Sequence, residues 1–180
     1  MKRTKTGFTL VELVVVIAIV ALLATILTPN VLKSIDKAKI TKTVADLKTI
    51  KQAAIGIYTS LGVFPAEGAS CSDRGFVTNS AVPANLQNKW EGPYLEKWPN
   101  EFPWGSCVTY LYGDSGSCFD LDGVANNDAF VRLDNPATNA FTIAIKQKID
   151  AVMDDGNLAA GLVRDCRSGL VYYIGEGSRW

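Results

Sequence analysis

No histidine occurs anywhere in these 180 residues. That absence excludes a histidine zinc site and every Ser-His-Asp or Cys-His constellation. Two segments that look catalytic therefore lose their chemistry. Gly113-Asp114-Ser115-Gly116-Ser117 has no histidine base and reads as a turn. Ser34-x-x-Lys37 lies on a polar helix face without the partner motifs of a serine acyltransferase. No Cys-x-x-Cys pair, phosphate-binding glycine loop or dinucleotide fingerprint appears. No catalytic residues are expected. Net charge is absent too, since 18 Lys and Arg balance 18 Asp and Glu. The balance hides an asymmetry. Lys2, Arg3 and Lys5 crowd the start, and six lysines (33, 37, 39, 42, 48 and 51) face only Asp36 and Asp46 between residues 33 and 51. From Gln52 onward acids outnumber bases. A basic helix beside an acidic head can attract another copy of the chain, lie near anionic lipid, or simply be solvated.

Charge is scarcest in residues 8–27, where Glu12 is the only ionised side chain among twenty residues. That length just spans a bilayer core of ~30 Å at ~1.5 Å per helical residue. A lone carboxylate in such a run is expensive and usually has a task. The basic head before it should stay in the cytoplasm. Thr9-x-x-Glu12 also fits a capping box at a helix start.

The order of residues here resembles the class III signal of the type IV pilin and pseudopilin family. A short basic leader ends in Gly7, Phe8 follows, then Thr9-Leu10-Val11-Glu12, then an unbroken apolar helix with Pro29 past its end. An ordinary secretory signal differs, because its cleavage site follows the apolar region. The resemblance covers residues 1–30. It implies that a prepilin peptidase cuts after Gly7 and methylates Phe8, and that the apolar helix stays on the protein. It also implies an inner-membrane assembly platform and a polymer of this chain, alone or in a mixed filament. Before assembly the chain would cross the inner membrane once, with its head in the periplasm. Afterwards it would lie in an extracellular or periplasmic filament. Glu12 would then pair with the Phe8 amine of a neighbouring subunit. Nothing in the sequence indicates nucleic acid.

Past Pro29 the pattern becomes amphipathic. Ile40, Val44, Leu47, Ile50, Ala54, Ile57 and Leu61 recur at spacings of three and four. One helix of ~75 Å from Phe8 to Tyr58 is expected, loosened near Ala24 and Thr25 by Pro29 and ended by Gly62 and Pro65. The expected divisions are a leader at 1–7, a membrane and filament-core helix at 8–28, an amphipathic half at 29–61 and a globular head at 62–180.

The head reads as α+β, a small antiparallel sheet packed on the amphipathic half of the helix, with long loops and a second short helix. Residues 64–105 read as a loop clamped by Trp90, Tyr94, Trp98, Phe102 and Trp104, or offering them as an interface. Gly92-Pro93-Tyr94-Leu95 and Pro103-Trp104-Gly105 resemble the corresponding loop of major pseudopilins of type II secretion. Residues 107–112 and 118–121 read as a hairpin around the Gly113–Gly116 turn. A strand at 130–133 follows. A helix should open at Asn135-Pro136 and stop at Asp154-Asp155-Gly156-Asn157. Two last strands lie at 161–164 and 170–174.

Four cysteines in an oxidising compartment suggest two disulfides with three connectivities. The proposed hairpin favours Cys107–Cys118, leaving Cys71–Cys166. Asp120, Asp122, Asn126 and Asp128 gather oxygen ligands that would suit calcium. The spacing is not that of an EF-hand, since Gly123 comes fourth from Asp120 and no Glu closes the loop. A solvated turn is the favoured reading, although major pseudopilins bind calcium in this part of the head. The overall expectation is a structural filament subunit. A major pseudopilin of type II secretion is the alternative within the class. A membrane-anchored binding or adhesion module that never polymerises is the alternative outside it.

Overall fold

A helix of 52 residues, α1 (Leu10–Leu61), precedes all other regular structure. The computed structural model describes residues 7–68, 71–100, 102–105, 107–112, 118–119, 123–124, 127–134, 141–166 and 169–180. The chain falls into two units, Met1–Ala38 and Lys39–Trp180.

In the first unit the described large apolar side chains of α1, among them Leu10, Ile17, Leu23, Val31 and Ile35, are exposed. Hydroxyls in this stretch turn back onto the helix. Thr25 Oγ1 donates to the Leu22 carbonyl at 2.7 Å and Thr28 Oγ1 to the Ala24 carbonyl at 2.6 Å. Such back-bonding hides a polar group from an apolar surrounding. Pro29 lies inside the helix and removes the bond to the Thr25 carbonyl. Among the described residues no single helix is long and apolar enough to cross a membrane. Leu10–Thr25 and Thr28–Leu61 meet that test together, as a bent pair, by length and composition. The break falls one turn before Pro29, where the missing amide acts.

The second unit holds the core. All seven residues of the amphipathic stripe, from Ile40 to Leu61, are buried. Gly62 ends α1 with φ +74°, and its amide donates to the Tyr58 carbonyl at 2.8 Å. Only glycine takes that left-handed turn without strain.

Four strands, β1 (Val108–Tyr112), β2 (Asp128–Asp134), β3 (Val163–Cys166) and β4 (Gly169–Glu176), form one antiparallel sheet in the order β1-β2-β4-β3. The last two make the expected terminal hairpin. The first hairpin is different from the expectation. β1 pairs with β2, from Val108 opposite Leu133 to Tyr112 opposite Ala129. Cys118 and Phe119 are not in a strand. They lie buried on the sheet's second face with Phe130, Val171 and Tyr173. Arg164 holds them there, donating Nη1 to the Cys118 carbonyl at 2.7 Å, with its guanidinium 4.9 Å from the Phe119 ring centre. Val131, Leu133, Tyr172 and Ile174 face the α1 side instead. Alternation along β2 and β4 therefore feeds two apolar layers, as a pleated strand requires.

Helix α2 (Ile143–Met153) starts after Thr142, not at Asn135-Pro136. Residues 135–140 lie outside the described residues, and Asp154 ends the helix as expected. The long loop is clamped by its aromatics. Trp98, Phe102 and Trp104 are buried, and Phe141 meets Phe102 edge to face and Trp104 at a tilt, at centroid distances of 5.0 and 5.5 Å. Trp90 Nε1 donates to the Gly75 carbonyl at 2.9 Å, and the Tyr94 hydroxyl meets Ser60 Oγ of α1.

The disulfides correct the favoured pairing. Cys71 joins Cys107 and Cys118 joins Cys166, with Cα atoms 5.1 and 5.8 Å apart. The cause is strand order. Once β2 occupies the edge of β1, the Cys107 carbonyl accepts from Asp134 N and Cys118 is carried to the opposite face. There it reaches Cys166 at the end of β3. Peptide mapping without reduction should recover 71–107 and 118–166 linked peptides. A Cys107–Cys118 peptide would contradict this topology.

Candidate functional site

The N-terminal end of α1 carries the residues with the strongest sequence signal. Gly7 and Phe8 precede the helix, and Phe8 is 79% exposed. Thr9 and Glu12 close a reciprocal capping box. Glu12 Oε2 accepts from Thr9 N at 2.8 Å and from Thr9 Oγ1 at 2.7 Å, and Glu12 N donates back to Thr9 Oγ1 at 3.2 Å. These contacts satisfy amides that a helix start leaves without partners. The carboxylate also sits where the helix dipole favours an anion. A polar ring at the tip and an exposed apolar shaft below it make a surface that is stable only in lipid or against other apolar helices.

The basic stretch of α1 is less available than its composition suggests. Lys51 is half-buried. It donates to the Tyr173 carbonyl at 3.2 Å and lies 5.0 Å from the centre of the Tyr172 ring. Burial pushes its pKa down. Lys42 forms an exposed ion pair with Asp46 at 2.6 Å. Lys39 lies 5.9 Å from the Trp104 ring centre. So at least three of the six lysines are engaged within their own unit.

Asp120, Asp122 and Asn126 of the expected calcium loop lie outside the described residues. Asp128 is fully buried at the start of β2.

Two family models match this chain. One, described as a prokaryotic N-terminal methylation motif, covers residues 2–28. The other, described as PilW, C-terminal, covers residues 34–125, half of the chain. A type II secretion system core protein G of Pseudomonas aeruginosa is 32% identical over 136 residues, covering 71% of this chain and 94% of that protein. The protein of the same name from Vibrio cholerae serotype O1 is 34% identical over 118 residues, covering 64% of this chain and 77% of its own. This chain belongs to the type IV pilin and pseudopilin family. No solved structure matches it.

As a pseudopilin-like chain it is a structural subunit of a pilus-like filament and not an enzyme. The prepilin motif marks α1 as its membrane anchor, and the family assembles with itself after prepilin processing. The long helix on a small antiparallel sheet is the pilin-like α+β architecture. One feature of this chain has no counterpart in the sequence pattern. Asp150, Asp154 and Asp155 bring carboxylate oxygens within 4.8 Å of one another. The spacing of four between Asp150 and Asp154 already placed them on one helix face. The burial of Asp150 had no signal in the pattern.

Proposed function

We propose that this chain is a major pseudopilin of a type II secretion system, cut between Gly7 and Phe8 and assembled from the inner membrane. The observation that carries this reading is the near-complete coverage of the Pseudomonas core protein G by a chain with the prepilin motif. Its divisions follow from that role. Residues 1–7 are the leader that prepilin peptidase removes, and residues 8–28 move from lipid into the filament core. Residues 29–61 join that core to the head at 62–180, which faces the periplasm. An assembly platform in the inner membrane feeds subunits into the filament. The exposed apolar half of α1 supports this reading, because extraction from lipid is tolerable only if helix packing replaces it. The PilW-type match over residues 34–125 supports a second reading, a subunit of a type IV pilus.

The mature protein should begin at Phe8 and retain the whole apolar segment, as intact mass and N-terminal sequencing of membrane-extracted protein will show. A mature N-terminus after residue 25 would overturn the assignment. Deleting the gene should stop secretion of folded exoproteins and leave surface pili intact. The reverse pattern, pili lost and secretion kept, favours the pilus reading.

A further inference from the structure

The lysines of α1 fall into two groups. Lys39, Lys42 and Lys51 are engaged within the second unit, with the Trp104 ring, Asp46 and the Tyr173 carbonyl. Lys33 and Lys37, in the first unit, are exposed and stand one helical turn apart. Lys33 takes part in none of the described ion pairs. Asp36 is the one acid among residues 29–38. The apolar character of α1 does not stop at Leu27. Val31, Leu32 and Ile35 are exposed large side chains past Pro29. A shallow groove of about 390 Å³ runs along Asn30, Val31, Ser34, Ile35 and Ala38. Ser34 Oγ donates to the Asn30 carbonyl at 3.0 Å, which turns its hydroxyl away from the surroundings.

Helical spacing sorts these residues onto two sides. Val31, Ser34, Ile35 and Ala38 share one side, and Lys33, Asp36 and Lys37 share the other. A segment that is basic on one side and apolar on the other suits the border between hydrocarbon and water. Depth agrees with that placement. At ~1.5 Å per residue Lys33 stands about 9 Å beyond Leu27, near the outer limit of a headgroup layer of about 5–8 Å. Helix side chains lean toward the N-terminus, here toward the bilayer. A lysine stem can lie along apolar surface while its amine stays in the polar layer. Cations that fix the orientation of a span lie on its cytoplasmic side. Lys33 and Lys37 flank the end of the span away from Lys2, Arg3 and Lys5, so orientation does not account for them.

We propose that residues 30–38 form a docking site for an anionic phospholipid in the leaflet on the head side of the membrane. The proposal rests on the reading of α1 as a membrane anchor with its head outside the cytoplasm. Lys33 and Lys37 hold the phosphate by charge, and Val31, Ile35 and Ala38 take the glycerol end of an acyl chain along the groove. A zwitterionic lipid offers the same chain without the net charge. Lipid is the occupant because the segment continues the membrane span in one helix. The contact fixes the depth of the shaft before assembly and is given up when the subunit leaves the bilayer.

Full-length protein extracted from membranes in neutral detergent tests this. It is titrated with phosphatidylglycerol or phosphatidylcholine, and native mass spectrometry counts the lipid adducts. Phosphatidylglycerol adducts should form at a lipid concentration at least about fivefold lower. Lys33→Gln with Lys37→Gln should abolish that preference. Asp36→Asn should enlarge it. Lys48→Gln, which removes an exposed lysine of the second unit, should leave it unchanged. A membrane-held wild type without the preference overturns the proposal and leaves the anchor reading standing. A preference that survives the double substitution overturns it too, and assigns the lipid to the cations of the leader or the head. If that same variant also loses its filaments, the two lysines form a contact between copies instead. Recovery of the chain in the soluble fraction overturns the anchor reading as well, and membrane fractionation scores this before any lipid is added.

Discussion

Glu12→Gln should be inserted and cleaved like the wild type, yet yield roughly tenfold fewer filaments or less. The capping box explains the first half. A glutamine carbonyl oxygen can accept from Thr9 N and Thr9 Oγ1 as Glu12 Oε2 does, so the helix start survives. The second half follows from burial. In a filament the exposed apolar residues of α1 surround each other and exclude water. A carboxylate there needs a cation, because an unpaired buried charge is strongly destabilising. Cleavage after Gly7 would create one, the α-amino group of Phe8, close in sequence to Glu12. Pairing with the amine of the neighbouring subunit would set the axial register of each addition. Glutamine keeps the hydrogen bonds and forfeits the charge, and the defect repeats at every added subunit. Filament yield by shearing and sedimentation, in cells without a wild-type copy, decides. Normal yield would reduce Glu12 to a helix cap.

Ile57→Ala should cost the head ~2–5 kcal/mol, whereas Ile55→Ala should change stability by about 0.5 kcal/mol or less. The two residues are chemically identical and two positions apart. Ile57 is fully buried beside Ala54 and Leu61, and Ile55 is 45% exposed. Removing buried methyl groups loses their transfer free energy and leaves a cavity that rigid neighbours only partly fill. Collapse is resisted here because the tyrosine clamp lies against the same turn. A β-carbon at Gly56 would already come within 3.1 Å of the Tyr94 ring. The Tm of the Ile57 variant should fall by roughly 6–20 °C, read by near-ultraviolet circular dichroism. Equal effects at the two positions would mean that α1 meets the sheet through another face. In filaments the Ile55 variant is the sensitive one if that exposed side chain lies in a subunit contact.

The sequence by itself determined the long helix, its change from apolar to amphipathic, its buried stripe and the prepilin signal. All of these are written in neighbouring residues. A helix repeats every ~3.6 residues, so Ile40 to Leu61 align whatever else the chain does. A twenty-residue apolar run needs no partner to be recognised. The terminal hairpin was legible for the same reason, since only two residues separate β3 from β4. Tertiary structure alone decided which strand lies beside β1. The alternation in residues 107–112 says that a strand forms there but not which edge it takes. The nearby segment at 118–121 was the natural partner by distance along the chain. β2 won because pairing with it lets residues 128–134 feed both apolar layers, while Phe119 fills the second face. The disulfide error had the same origin, because Cys107 and Cys118 can face each other only across the rejected hairpin. Asp150 makes the point for chemistry. Its sequence announced a helix end, and only the packing of α2 in the folded head buried its carboxylate beside Asp154 and Asp155.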